Sequence, residues 1–211
     1  MPEIYVFDLD GTLVDSMSYF AAGLLKILDD AGIPYDDTIV ETITPLGYVG
    51  SAELFRSMGV EATVEEMVAQ MKENLVYEYS NNIKLKPYVG DFLRQLKAQG
   101  ARLFVLTASP HAVTDICLKN NGVYDLFEQI WSVDDFGMTK SELELFDAVA
   151  QKINCKPQDI NYFEDNLTAV TNAALSQYKV YGVLDKQQPE DIEQIKELSD
   201  IFVHSYKDLL D

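Results

Sequence analysis

The chain has 211 residues, with 16 Lys and Arg set against 35 Asp and Glu, a formal charge of −19. That length suits one domain, or one domain with a modest insertion, and buries a core without disulfides or metal. Such acidity excludes a nucleic-acid partner, which needs clustered Lys and Arg, and disfavours an anionic membrane surface. With 47% hydrophobic and 24% charged residues, the composition also excludes a wholly disordered chain. Cys117 and Cys155 are too few for a disulfide framework and read as reduced thiols. No apolar run is long enough to span a bilayer, and no signal-peptide core precedes the first strand-like run. The expectation is a cytoplasmic protein with no membrane partner, acting as a monomer or weak homodimer.

In chain order, residues 4–8 are a continuous apolar run closing on an acid, as in a parallel strand buried on both faces. Phe20, Leu24, Ile27, Leu28 and Ala31 then repeat at helical spacing until Gly32 and Pro34. Thr63 and Glu66 form a capping-box pattern ahead of the stripe Val64, Met67, Val68, Met71 and Leu75. Residues 15–83 hold helical signals and no convincing strand, so they read as a helical insertion into a core made of 1–14 and 84–211.

From Pro87 the pattern alternates. Pro87 opens a helix carrying Val89, Phe92, Leu93 and Leu96, which Gly100 stops. Strands are predicted at 102–107, 129–133, 160–163 and 179–184. A helix follows Pro110 and ends at Asn120-Asn121-Gly122, and another is capped by Ser141 and Glu144. The acidic stretch 190–200 reads as a solvated helix face. This alternation implies an α/β fold: a Rossmann-like, doubly wound parallel sheet with right-handed crossovers and an inserted all-helical domain.

In such a sheet, ligands bind beyond the carboxyl ends of the strands. Asp8 and Asp10 follow the first strand, Thr107 and Ser109 the second, Lys140 lies in the loop after the third, and Glu164 and Asp165 end the fourth. Four carboxylates on one rim require a cation, and an oxygen-only ligand set selects a hard one, Mg²⁺. A lysine and a hydroxyl facing that ion make a trap for a phosphoryl group, and an Asp carboxylate that attacks phosphorus forms an aspartyl-phosphate.

The run Asp8-Leu9-Asp10-Gly11-Thr12-Leu13-Val14-Asp15-Ser16 resembles the first motif of the haloacid dehalogenase (HAD) family of phosphatases. Leu106-Thr107-Ala108-Ser109, Lys140 through Phe146, and Phe163-Glu164-Asp165-Asn166 resemble the second, third and fourth motifs, in order. The third departs from the usual pattern, with Ser141 and Leu143 where that motif carries prolines. The resemblance, closest to the phosphoglycolate phosphatase and β-phosphoglucomutase branch, implies a HAD core with a helical cap that chooses the substrate. It implies Asp8 as nucleophile and Mg²⁺ ligand, and Asp10 as acid/base whose backbone carbonyl also touches the metal. Thr107, Ala108 and Lys140 would bind the phosphoryl group, with Lys140 also orienting Asp8. Asp165 would complete the metal site, with Glu164 as a further ligand or a support behind it. The implied function is Mg²⁺-dependent hydrolysis of a small-molecule phosphate ester, such as phosphoglycolate or a sugar phosphate.

Other readings of these residues stand beside this one. The Asp8-x-Asp10-Gly11 run follows a strand and has Tyr19 where a calcium loop needs its twelfth-position Glu. Ser109 reads as an N-cap before Pro110, His111 as a surface residue and Met67 and Met71 as helix core, while His204 has no role. Residues 45–50 form a glycine-containing loop of the insertion, on which Arg56 and Lys72 are candidate anion contacts. A β-phosphoglucomutase-like phosphomutase is the alternative function; that branch carries a histidine where this chain has Phe20. A non-catalytic metabolite-binding protein on the same scaffold is the third.

Overall fold

A computed structural model describes residues 2–43, 46–185 and 189–210. The chain divides into two compact units, Met1–Asp15 with Lys84–Asp211, and Ser16–Ile83.

The second unit is helical: α1 Met17–Ala31, α2 Ile39–Ile43, α3 Gly47–Ser57 and α4 Val64–Asn81. Its stripes meet in one cluster containing Leu24, Leu28, Phe55, Met67 and Met71, against which Phe20 packs. Gly32 ends α1 in the left-handed conformation. Thr63 caps α4 reciprocally: its hydroxyl accepts from the Glu66 N–H, and its own N–H donates to the Glu66 carboxylate at 2.8 Å. Asn74, buried on α4, donates to the Gly23 carbonyl of α1 at 3.0 Å. One expectation is corrected here. Residues 47–50 are the first turn of α3, not part of a loop, because Tyr48 and Ala52 have apolar partners in this cluster; Pro45 lies outside the described residues.

The first unit is built on six parallel strands among the described residues: β1 Ile4–Phe7, β2 Arg102–Thr107, β3 Gln129–Ser132, β4 Ile160–Glu164, β5 Lys179–Val183 and β6 Ile201–Val203. Their order in the sheet is β3-β2-β1-β4-β5-β6. The register pairs Phe7 with Val105 on one side and with Phe163 on the other, so the ends of β1, β2 and β4 share one rim. Helices α5 Val89–Ala98, α6 His111–Asn120, α7 Leu143–Ile153, α8 Leu167–Leu175 and α9 Ile192–Leu198 complete this unit. Strand alternation sorts the side chains into two layers. Val6, Phe104, Leu106, Ile160 and Tyr162 pack with Leu145, Phe146 and Val149 of α7 and Val170 of α8. Phe7 and Phe163 face the other way, in an aromatic layer with Phe92 of α5, Tyr181 and Tyr206.

Several boundaries differ from the sequence reading. Helix α5 begins at Val89 rather than at Pro87, because Tyr88 takes a left-handed turn (φ 68°). The third strand stops at Ser132, and Val133–Phe136 is a 3-10 turn. The N-cap of α7 is Glu142, so Ser141 does not cap it. Strand β6 has only three residues, too few to show a periodicity.

Candidate functional site

The loop after β1 starts as a continuation of the sheet, with the Asp8 N–H donating to the Phe163 carbonyl at 2.9 Å. It then folds back on itself: Leu13 and Val14 both donate to the Leu9 carbonyl, and Gly11 donates to that of Val14. Gly11 has φ +79°, and a Cβ there would lie 2.6 Å from both the Asp165 Cγ and the Asp185 Oδ2. Only glycine permits this approach. Behind it, Thr12 Oγ1 donates to Asp165 Oδ1 at 2.6 Å, and the buried Tyr206 hydroxyl donates to the Thr12 carbonyl at 3.2 Å.

Lys140 enters from the loop before α7 and donates to Asp8 Oδ1 and, at 2.7 Å, to Glu164 Oε2. These side chains are 12%, 7% and 2% exposed, respectively, so the contacts are made almost without water. Glu164 Oε2 also accepts from the Tyr162 hydroxyl at 2.5 Å, and Oε1 from the Asn166 N–H at 3.1 Å. The loop lacks the motif's prolines but is closed by hydrogen bonds. The Thr139 N–H donates to the Glu142 carboxylate at 3.1 Å, Glu142 N–H to the Thr139 carbonyl at 3.0 Å, and Asn172 of α8 to the Lys140 carbonyl at 2.9 Å. Ser141 pairs its hydroxyl with that of Thr139 at 2.6 Å, the role it takes in place of capping.

Asp8, Glu164 and Asp165 each offer a carboxylate oxygen within 4.8 Å of the others, and all three are buried. Burial raises the Asp8 carboxyl to about 8; Lys140 opposes the rise, and Glu164 and Asp10 add to it. Burial also lifts Asp165 well above the usual carboxylate range, helped by the charges of Glu164 and Asp8, while Thr12 and Lys86 pull the other way. One ammonium cannot neutralise three carboxylates. A buried, all-oxygen donor set with residual negative charge fits a hard divalent cation.

At the end of β2, Thr107 is fully buried and its hydroxyl accepts the Ser109 N–H at 3.0 Å; Ala108, between them, is exposed. Pro110, not Ser109, is the N-cap of α6. The Ser109 hydroxyl instead donates to Asp10 Oδ2 at 2.6 Å, a contact 99 residues apart in sequence. The Asp10 side chain therefore meets Ser109 and is outside the three-acid group. His111 is exposed, with Nε2 2.9 Å from Asp135 and Nδ1 3.4 Å from Asp115; the Asp135 bond chiefly raises its pKa. His204 lies on the surface beside the Phe202 ring, and Arg56 and Lys72 are exposed on the helical unit.

Sequence reasoning missed the parts of Tyr162, Thr12 and Asp185. Tyr162 carried a usable signal, since two residues before Glu164 in a strand it must share that acid's face. Asp185 stands two residues past β5, at a strand end like the other acids.

The family model for haloacid dehalogenase-like hydrolases matches residues 5–183. A phosphorylated carbohydrates phosphatase of Thermotoga maritima is 22% identical over 184 residues, 86% of this chain and 85% of its own. Among solved structures, a predicted phosphoglycolate phosphatase from Haemophilus somnus 129pt superposes with a TM-score of 0.81 at 23% identity, covering 99% of this chain and 96% of its own. The beta-phosphoglucomutase of Clostridium difficile does so with a TM-score of 0.72 at 20% identity, covering 100% and 94%. These likenesses share the fold, and the family match spans all four motifs. The chain belongs to the haloacid dehalogenase-like hydrolase family.

Proposed function

We propose that the protein is a Mg²⁺-dependent phosphatase of small phosphorylated metabolites, working through an aspartyl-phosphate on Asp8. The observation that carries this reading is the buried Lys140 ammonium shared by Asp8 and Glu164, with Asp165 beside them, at the carboxyl ends of the strands. That arrangement suits the joint binding of a divalent cation and a dianionic phosphoryl group. The named Thermotoga relative acts on phosphorylated carbohydrates, which supports a substrate of that class.

Asp8, Asp165 and Glu164 would hold the cation, with the Asp10 carbonyl as a further oxygen. When bound, the ion supplies positive charge that keeps the buried carboxylates ionised and neutralises the phosphoryl oxygens. Lys140 fixes Asp8 through Oδ1 and adds its own charge to the phosphoryl group. The Thr107 hydroxyl accepts the Ser109 N–H and keeps its own O–H to donate to a phosphoryl oxygen; the exposed Ala108 offers a further contact. An Asp8 oxygen bonds to phosphorus as the ester P–O bond breaks, and Asp10 gives its proton to the departing oxygen. Water then attacks the phosphoaspartate and passes a proton to Asp10, releasing inorganic phosphate and restoring both residues.

Phe20 packs against the Tyr48 ring, 5.8 Å between centroids, and brings no titratable group to the start of the helical unit. That favours hydrolysis over the mutase reaction. The test is phosphate release from a panel of phosphoglycolate, hexose phosphates and β-glucose 1-phosphate, with and without Mg²⁺. We expect Mg²⁺-dependent release, lowered by at least about a thousandfold in Asp8→Asn and by about a hundred- to ten-thousandfold in Asp10→Asn. Near wild-type release by Asp8→Asn would overturn the nucleophile, and conversion of β-glucose 1-phosphate to the 6-phosphate without release would make the protein a mutase.

A further inference from the structure

We propose that Tyr162 is a positioning residue that, through Glu164, holds the Lys140 ammonium against Asp8. The proposal rests on the reading of Lys140 and Asp8 given above and assigns the means by which this chain keeps them together.

Lys140 sits on a loop with Ser141 and Leu143 at the positions where the family motif has prolines, so ring closure does not stiffen its backbone. Its ammonium nevertheless has a defined place, because the two acceptors it meets are themselves held. Glu164 is the end of β4, and Tyr162, two residues earlier, lies on the same face of the strand. From there the Tyr162 hydroxyl donates to Glu164 Oε2 at 2.5 Å, the oxygen that also receives Lys140 at 2.7 Å. The Asn166 N–H takes the other oxygen, Oε1, at 3.1 Å. The carboxylate is thus clamped at both ends and cannot rotate to follow a wandering lysine.

Tyr162 is itself held by packing. It is fully buried, edge-on to Phe146 and Tyr178 at 5.7 and 6.0 Å, and the Lys140 ammonium lies 5.9 Å from its ring centroid. A phenol in so apolar a setting needs a partner for its O–H. Glu164 is that partner, so the aromatic packing of the core fixes the direction of a hydrogen bond that ends at Asp8. The second restraint on Lys140, Asn172 on its carbonyl, places the backbone but does not touch the ammonium.

The experiment compares the full-length wild-type protein with Tyr162→Phe, Glu164→Gln, the double variant, and Tyr178→Phe as a control. Tyr178 belongs to the same aromatic cluster, but its hydroxyl donates to the Phe146 carbonyl at 2.6 Å and serves packing alone. The readouts are melting temperature, the proton–nitrogen cross-peak of the Lys140 ammonium (assigned by its loss in Lys140→Met), and kcat/KM with inhibition by inorganic phosphate. Both Tyr→Phe variants should melt lower. Only Tyr162→Phe should broaden the Lys140 signal, weaken phosphate inhibition, and lower kcat/KM by about ten- to a hundredfold, as supporting residues behind a reacting group commonly do. Added to Glu164→Gln, the same change should have little further effect. An unchanged Lys140 signal in Tyr162→Phe, an equal change in Tyr178→Phe, or full additivity with Glu164→Gln would overturn the proposal. The cross-peak is read without substrate, so a protein that hydrolyses no ester still decides this proposal while overturning the phosphatase reading.

Discussion

At the scale of single residues, the site depends on positions where the backbone leaves one choice. Gly11 is the clearest. An alanine there meets left-handed strain of about 1–3 kcal/mol and drives its methyl into the Asp165 carboxylate, which must then move off its Thr12 bond. Gly11→Ala should therefore lose more activity than its fall in melting temperature explains, and its Mg²⁺ requirement should rise. A Mg²⁺ titration of phosphate release beside a thermal melt checks this; an unchanged requirement would mean that Asp165 has not moved. The spacing of Asp8, Asp10 and Gly11 was legible in the sequence because the tight turn and the acids are neighbours in the chain. The Ser109 bond to Asp10 was not legible: it spans 99 residues and exists only because β1 and β2 are adjacent strands in register. A serine before proline looks the same whether it caps a helix or reaches across a sheet.

At the scale of elements, local signals explain most starts and stops. The Thr63 and Glu66 box opens α4 as written, and Thr63→Ala should destabilise the helical unit by about 1 kcal/mol by leaving the Glu66 N–H without its acceptor. Circular dichroism melting should show that loss, while the phosphate-release rate on the best ester changes by less than about twofold at a temperature where both proteins are folded. Where element predictions missed, the deciding partner was distant. Residues 47–50 form a helical turn because Tyr48 has Phe20 to pack on, whereas glycines taken alone favour a loop. Ser141 forgoes its cap because Thr139 and Glu142 close the turn that carries Lys140. Strand β6 is read only from its pairing with β5, since three residues carry no period of their own.

At the scale of the whole molecule, the dominant feature is a set of carboxyl groups gathered at a buried rim in a chain already at −19. With no cation bound, the folded state holds a proton on Asp8 up to about pH 8, whereas the unfolded chain gives it up near pH 4. The folded state then binds more protons than the unfolded one between these limits. The contribution of Asp8 to the stability of the metal-stripped protein therefore falls as pH rises from about 4 to about 8. On the reading proposed above, Mg²⁺ would reverse the penalty by binding the ionised carboxylates, so its stabilising effect should grow over the same interval. Melting curves with EDTA and with Mg²⁺ at pH 5.5 and 8 check both signs; equal Mg²⁺ stabilisation at the two pH values would mean that the carboxylates titrate independently of the ion.

The sequence by itself determined the fold class, because alternating apolar strands and amphipathic helices are local patterns that call for a parallel sheet, and a parallel sheet sends the carboxyl ends of its strands to one rim. It also supplied the residue types of the site, since motif spacing ties each to a strand end. The tertiary structure decided which atoms meet: Tyr162 on Glu164, Ser109 on Asp10, Thr12 and Gly11 against Asp165. Those contacts depend on side-chain direction, strand register and the removal of water. All three are properties of the packed layers, which no run of neighbouring residues contains.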